Sequence, residues 1–382
     1  MICFKPKRGE FFDMMKKIWN TVRRTVPIWS AVLFVLFIGA LIMNQVIHKS
    51  GAVANAIHDT VGVGIRTVMT TLTTWIPISF AEFLLISSPL LLILLIIGIV
   101  RHVKRSPAEG VRFCVAILSL VSFVYTLSVF GYETGFYTES VTEKVDIERE
   151  DLSPEQLYDT AMILVEQIEK DIPYVSFPQK TYSAMTFSYG EMNDKLNAAY
   201  DTLCDTYPDF QRLHSNTKPV MLSEPWTYTH ISGMYTFFTG EANVNVNYPD
   251  FIVVSSAAHE MAHQRGINRE DEANFVAYLV CSLSDDPYVR YCGNVDVLNS
   301  VLNQLYSASQ ELYWKVAEKV PQEVKNENTA YSKFFDQYRE TVVSEVSNAV
   351  NDAYISSNNQ PAGVKSYGLV VDLVAAYLLK GK

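Results

Sequence analysis

Cysteine is scarce in this chain: five occur in 382 residues, and no two stand in C-x-x-C spacing. Beyond the first third only Cys204, Cys281 and Cys292 remain, an odd number. That excludes a disulfide framework and a thiolate zinc cluster. A Cys281–Cys292 bridge and three free thiols both stay open. Basic charge is short as well. Lys and Arg number 31 against 41 Asp and Glu, a formal net charge of −10, which argues against nucleic acid as a partner. Internal repeats and low-complexity tracts are absent, so repeat and fibrous architectures are excluded.

Long apolar stretches, by contrast, crowd the first third. Ile28 to Ile47, Phe83 to Val100 and Phe113 to Phe130 each reach about the 20 residues that span hydrocarbon. Pro77 and Pro89 sit before and inside the second stretch, where a membrane helix tolerates them better than a soluble one. Residues 1–112 hold 13 Lys and Arg against 5 Asp and Glu, and the remainder holds 18 against 36. Basic residues precede the first span and separate the second from the third. The positive-inside rule then puts the N-terminus and the second loop in the cytoplasm and everything after about Gly131 outside. Ala52-Val53-Ala54 offers a small-x-small site, but two further spans follow, so the first span reads as a retained anchor. The reading is a basic cytoplasmic N-terminus (1–27), a three-span anchor (28–133) and an exported acidic domain (134–382). The lipid bilayer is therefore a partner.

The most specific motif is His259-Glu260-Met261-Ala262-His263, an H-E-x-x-H. Residues four apart share a helix face, so both imidazoles can aim at one metal ion, and the Glu260 carboxylate can reach a water beside it. Two nitrogens, a third protein ligand and an open position describe hydrolytic Zn²⁺. The apolar run 251–258 can bury the helix and Gly266 can end it. Asn268 then reads as the N-cap of a second helix whose first turn holds Glu270, Asp271 and Glu272. Glu270 is the favoured third ligand, because Asn274 lies four residues on and can hold a first-shell imidazole by its other nitrogen. Glu272 is the alternative. The run before His259 is about eight residues and charges follow it, which is too short for an intramembrane site.

Elsewhere in the exported part, Ser153-Pro154-Glu155-Gln156 is a capping box opening a helix to about Lys170. Another helix is expected over Tyr189 to Tyr207. Residues 235–238 and 244–246 read as strands, and helices as covering Val295 to Val320 and Ala330 to Tyr354. Glu241, Asn243 and Asn245 alternate on one strand face just upstream of the motif. Tyr367, then Tyr354 and His230, are candidate donors to a developing oxyanion.

The layout resembles the gluzincin metallopeptidases, whose second helix carries E-x-x-x-D; here Asn274 stands in place of the Asp. For Glu241, Asn243 and Asn245 the same resemblance implies an edge strand that binds peptide by strand addition. Three N-terminal spans, T-G-E-A-N-V-N (239–245), H-E-x-A-H-Q-R-G (259–266), E-D-E-A-N-F (270–275) and G-V-K-S-Y-G-x-V-V-D-L (363–373) together look like the bacterial DUF3810 family. The resemblance implies a bacterial plasma-membrane protein and a shared architecture, and no established substrate.

The fold expected is three transmembrane helices followed by a mostly helical α+β, gluzincin-like domain with a small sheet. The function expected is zinc-dependent hydrolysis of a peptide or protein substrate, with His259, His263 and Glu270 as ligands and Glu260 as general base. The competing reading is a non-enzymatic membrane sensor or scaffold with a structural or relic zinc site.

Overall fold

Prolines mark the entries to two of the long apolar helices. Pro27 stands at the N-cap of Ile28–Ile47 and Pro107 opens Pro107–Gly131, positions where a missing N–H costs no helical hydrogen bond. The computed structural model describes residues 8–178, 182–339, 341–357 and 369–380. It divides into two units, Met1–Lys49 with Phe83–Phe130, and Ser50–Glu82 with Gly131–Lys382.

The first unit is helical. Arg8–Thr25 carries basic residues, and Ile28–Ile47, Phe80–Arg105 and Pro107–Gly131 carry the apolar runs. These three are long and apolar enough to cross a membrane, and most of their large apolar side chains face outward. Few polar contacts join them: Ser119 Oγ donates to Ser30 Oγ at 3.0 Å, and Asn44 Nδ2 to the Tyr125 hydroxyl at 2.9 Å.

The second unit is built on helices with a small sheet. Ser153 and Gln156 close the expected capping box on Pro154–Asp171, an arrangement that stabilises a helix start by about 1 kcal/mol. Ser188 and Glu191 do the same for Tyr189–Thr206. These helices, with Asp250–Gln264, Glu270–Ser282, Pro287–Ala308 and Val370–Leu378, bury one shared apolar core that includes Leu164, Ile168, Leu196, Phe251, Phe275, Leu298 and Val374. Three short strands follow: β1 (Lys218–Pro219), β2 (Gly233–Thr236) and β3 (Glu241–Val244). Their order is β1-β3-β2, parallel between β1 and β3 and antiparallel between β2 and β3.

Three expectations change. Residues 50–82, read as a loop between spans, form Gly51–Ile57, a π turn at His58–Gly62 and Val63–Thr74, and cluster with the second unit. The helix read over Val295 to Val320 breaks at Ser309, whose side chain caps the next one, Gln310–Lys319. The helix read from Ala330 is likewise divided, into Gln322–Phe335 and Val342–Ser357 with a 3-10 turn between. Helical periodicity survives a one-residue break, so composition alone does not reveal these caps.

The candidate metal centre

Helix Asp250–Gln264 positions the motif. Phe251, Val254, Ala257, Ala258, Met261 and Ala262 are all buried, so the helix is fixed by core packing rather than by its ends. It stops at Arg265, and Gly266 follows with φ +88°. The Gly266 N–H donates to the His263 carbonyl at 3.0 Å and the Ile267 N–H to the Ala262 carbonyl at 3.1 Å, the paired bonds of a Schellman C-cap. No side chain fits at Gly266, because a Cβ there would lie 2.4 Å from His58 Cε1 and 2.7 Å from Arg66 Cζ.

That turn has a chemical consequence. It brings the Ile267 carbonyl back to His263 Nδ1, 2.7 Å away. With Nδ1–H donating there, Nε2 is the nitrogen that faces the centre. Asn274 was expected to hold a ligand imidazole, and it does not: a backbone carbonyl takes that place at His263, and His259 Nδ1 is buried without a partner. Asn268 is likewise not the cap of the next helix. Arg269 occupies the N-cap, and the Asn268 amide donates instead to the Tyr132 carbonyl.

Glu270 and Glu272 separate cleanly. The first turn of Glu270–Ser282 sends Glu270 Oε2 to 3.3 Å from His259 Nε2 and 3.7 Å from His263 Nε2. His259, His263 and Glu270 place their donor atoms within 4.8 Å of one another, a group that could hold a metal ion. Glu272 is engaged elsewhere. Its Oε1 accepts from Ser140 Oγ at 2.6 Å and the Val141 N–H at 3.1 Å, and Oε2 meets Arg269 at 2.9 Å. Two imidazoles and one carboxylate, all buried or nearly so, suit a divalent cation with one position left open.

The field of the three groups is strong. Burial pulls the His263 imidazole down, but the Glu270 charge and hydrogen bond outweigh it and hold His263 up at about 9. Burial pushes Glu270 up, and the two histidines more than reverse this, leaving it well below the ordinary carboxylate range.

Glu260 sits beside them, almost wholly buried. Burial, aided by the charge of Glu270, raises its carboxyl to about 7 against the opposing pull of His259, His263 and the Tyr235 N–H. Its Oε2 has no hydrogen-bond partner among the described residues. Strand β2 packs directly on it: a Cβ on Gly233 would lie 2.5 Å from Glu260 Oε1. Glycine is therefore required here by close approach, not by backbone conformation.

One residue near the centre carries no local signal in the sequence. Asp296, on Pro287–Ala308, is open to solvent yet ringed by enough protein that burial raises its carboxyl, with the Ser255 hydroxyl and His259 acting the other way. Helix packing alone brings it toward His259.

The expected substrate face is corrected. Strand β3 is central, not an edge, and its three polar side chains are buried. Glu241 accepts from the N–H groups of Phe80 and Ala81 at 2.9 and 2.8 Å. Asn243 donates to Thr236 Oγ1 at 2.7 Å and Asn245 to Thr227 Oγ1 at 3.1 Å. These are internal ties, and β2 is the edge beside Glu260. His230 is held by the Tyr338 carbonyl at 2.7 Å and packs on Phe335. Tyr367 lies outside the described residues, as does the side chain of Tyr354 in Val342–Ser357. Cys204, Cys281 and Cys292 are free and buried.

No curated protein and no solved structure matches the chain. The family model described as "Protein of unknown function (DUF3810)" matches residues 60–375, a stretch that contains the 50–82 helices in large part and the whole metal-ligand group. The chain belongs to that family.

Proposed function

We propose that the chain is a membrane-anchored zinc metallopeptidase with a gluzincin-like second unit. The observation that carries this reading is the convergence of His259, His263 and Glu270 with a carboxylate, Glu260, whose Oε2 has no hydrogen-bond partner among the described residues. A purely structural zinc site is closed by four protein ligands and has no use for such a group. His259 and His263 would hold the ion through Nε2 and Glu270 through a carboxylate oxygen. Zn²⁺, when bound, supplies Lewis acidity toward the scissile carbonyl and the attacking water. Glu260 takes the proton of that water at Oε2 and returns it to the leaving amine. Burial, which raises this carboxyl above its ordinary value in the metal-free chain, favours its holding a proton between those two tasks. The Tyr235 N–H keeps Glu260 in position, and β2, rather than β3, is the strand edge along which an extended peptide would lie. The charge asymmetry supports a cytoplasmic N-terminus and an extracytoplasmic second unit.

Elemental analysis of detergent-purified protein beside His263→Ala and Glu270→Ala tests the ligand set. About one zinc per chain is expected in wild type, and a marked loss in both variants. A wild type that holds no metal and takes none on titration ends the peptidase reading. Digestion of a peptide library read by mass spectrometry tests the chemistry. Bound zinc with no hydrolysis of any library member would favour the sensor or scaffold reading.

A further inference from the structure

Helices of water-soluble domains turn their apolar side chains inward. Helix Val63–Thr74 does the reverse. Its buried residues are Arg66, Thr70 and Thr73, spaced four and three apart on one face. Each is tied into the second unit. Arg66 Nε donates to Gln211 Oε1 at 2.9 Å, Thr70 Oγ1 to the Gly240 carbonyl at 3.0 Å, and Thr73 Oγ1 to the Thr239 carbonyl at 3.1 Å. The opposite face carries Val61, just before the helix, then Val68 and Leu72, and Trp75 just after it. All are exposed, Leu72 at 60% and Trp75 at 76%. No charged side chain shares that face; exposed charges stand around it, Asp59 in the preceding π turn, Glu224 just after Leu222, and Asp194 in a cavity shared with Thr74.

A second exposed apolar pair lies beside it. Met221 is 61% exposed and Leu222 is its exposed neighbour. Their N–H groups both donate to the Glu82 carboxylate at 2.8 Å. Glu82 is in the first turn of Phe80–Arg105, one of the helices long enough to cross a membrane. Lys218, in the strand just before Met221, donates to the Thr73 and Thr74 carbonyls at 2.9 and 3.2 Å. The two apolar sets are thus fastened together where the chain enters that helix.

We propose that this face lies in the lipid bilayer at its headgroup boundary, as a lipid contact of the second unit beyond the three apolar helices. The proposal rests on reading those helices as membrane spans. A helix that hides its polar residues and shows its apolar ones is oriented for an apolar surrounding. This face joins valine and leucine to an exposed tryptophan, the residue favoured at a membrane boundary, with polar and charged groups at its margins, as at a headgroup boundary. Arg66 on the inner face packs against Gly266 of the metal-ligand turn. The candidate centre is thereby joined to the helix that carries this face.

The test uses the full chain in phosphatidylcholine–phosphatidylglycerol liposomes, with a genetically encoded spin label at Val68 or Leu72. Labels at Leu92, exposed within a candidate span, and at Glu311, in the second unit and exposed to water, are the references. The expected result is oxygen accessibility well above nickel-chelate accessibility at Val68 and Leu72, as at Leu92, with the reverse at Glu311. If Val68 and Leu72 behave like Glu311 while Leu92 stays lipid-like, this proposal is overturned and the spans survive. If Leu92 is also water-exposed, the membrane reading fails with it. Low access to both reagents at Val68 and Leu72 means a protein cover, a second copy of the chain, and overturns the lipid assignment. Where a label prevents folding, quenching of native Trp75 by brominated lipid, read as wild type minus Trp75→Phe, gives the answer: quenching is expected, and its absence refutes the proposal.

Discussion

Helices Asp250–Gln264 and Val63–Thr74 belong to the same unit and bury opposite kinds of residue. The first surrounds itself with Phe251, Val254, Ala258 and Met261 and carries its polar chemistry on one enclosed face. The second encloses Arg66, Thr70 and Thr73 and leaves Val68 and Leu72 outside. Burial of apolar area drives the first helix into place. The second is held by hydrogen bonds to carbonyls and amides that would otherwise be unsatisfied. Its apolar side chains Val68 and Leu72 are left uncovered by the rest of the protein. The difference shows that the polarity of a helix face reports its surroundings, and that the inner face can be the polar one.

The largest effect that would break this comparison lies on the first helix. Glu260→Gln keeps the size and loses the base, so turnover of a cleavable peptide is expected to fall about 10²- to 10⁴-fold while metal content is unchanged. Full activity in this variant would remove Glu260 from the mechanism.

Next is the pH dependence of metal uptake. The Glu270 charge holds the metal-free His263 imidazole above its ordinary value, and only its neutral form offers Nε2 as a ligand. Affinity should therefore rise with pH from neutrality, by at most about tenfold per unit, until the imidazole is deprotonated. The sign for the metal-free fold is opposite. A raised histidine contributes stability that is fully present below about 6.5 and is lost as pH climbs through about 9. Calorimetric titration that shows no proton release on metal binding at pH 7 would contradict the His263–Glu270 pairing.

Gly266 joins the two helices, and Gly266→Ala tests that junction. The left-handed conformation alone costs about 1–2 kcal/mol for a residue with a Cβ, and the contact with His58 and Arg66 adds to it. A lower denaturation midpoint and weaker metal binding are expected together, because the Ile267 carbonyl moves with the turn. A stable variant with unchanged metal affinity would show that the turn does not orient His263.

The smallest effect sharpens the contrast within Val63–Thr74. Thr70→Val leaves the Gly240 carbonyl with one donor fewer and should destabilise detergent-purified protein by about 1 kcal/mol. Leu72→Ser, on the outward face, should change the same midpoint by no more than about 0.5 kcal/mol. Equal losses from the two substitutions would mean that the outward face is packed against protein.

What was legible in the sequence is local. The spacing of His259 and His263 follows from the helical repeat. Gly266 announces a C-cap, Ser153 to Gln156 a helix start, and the apolar runs helices of spanning length. Each is decided within a few residues by backbone geometry or by composition. Glu270 was preferred over Glu272 for a partner, Asn274, that does not touch the imidazoles. What separates the two glutamates is the hydrogen bonds of Glu272 to Ser140 and Val141, more than a hundred residues away. Alternation along β3 was read as a solvent-facing peptide surface, because a polar residue every second position looks the same whether water or a helix N-terminus satisfies it. Only the position of β3 between β1 and β2 gave Glu241 its role.

By itself, then, the amino-acid order determined the candidate histidine pair, the carboxylate between them and the three apolar helices, since each depends on neighbours in the chain. Tertiary structure decided the rest. It drew residues 50–82 into the second unit, set β2 against Glu260, supplied the Ile267 carbonyl to His263 and brought Asp296 toward His259. Those are contacts between segments far apart in sequence, fixed by which buried polar groups found partners and which apolar surfaces could be covered, and no local pattern encodes that outcome.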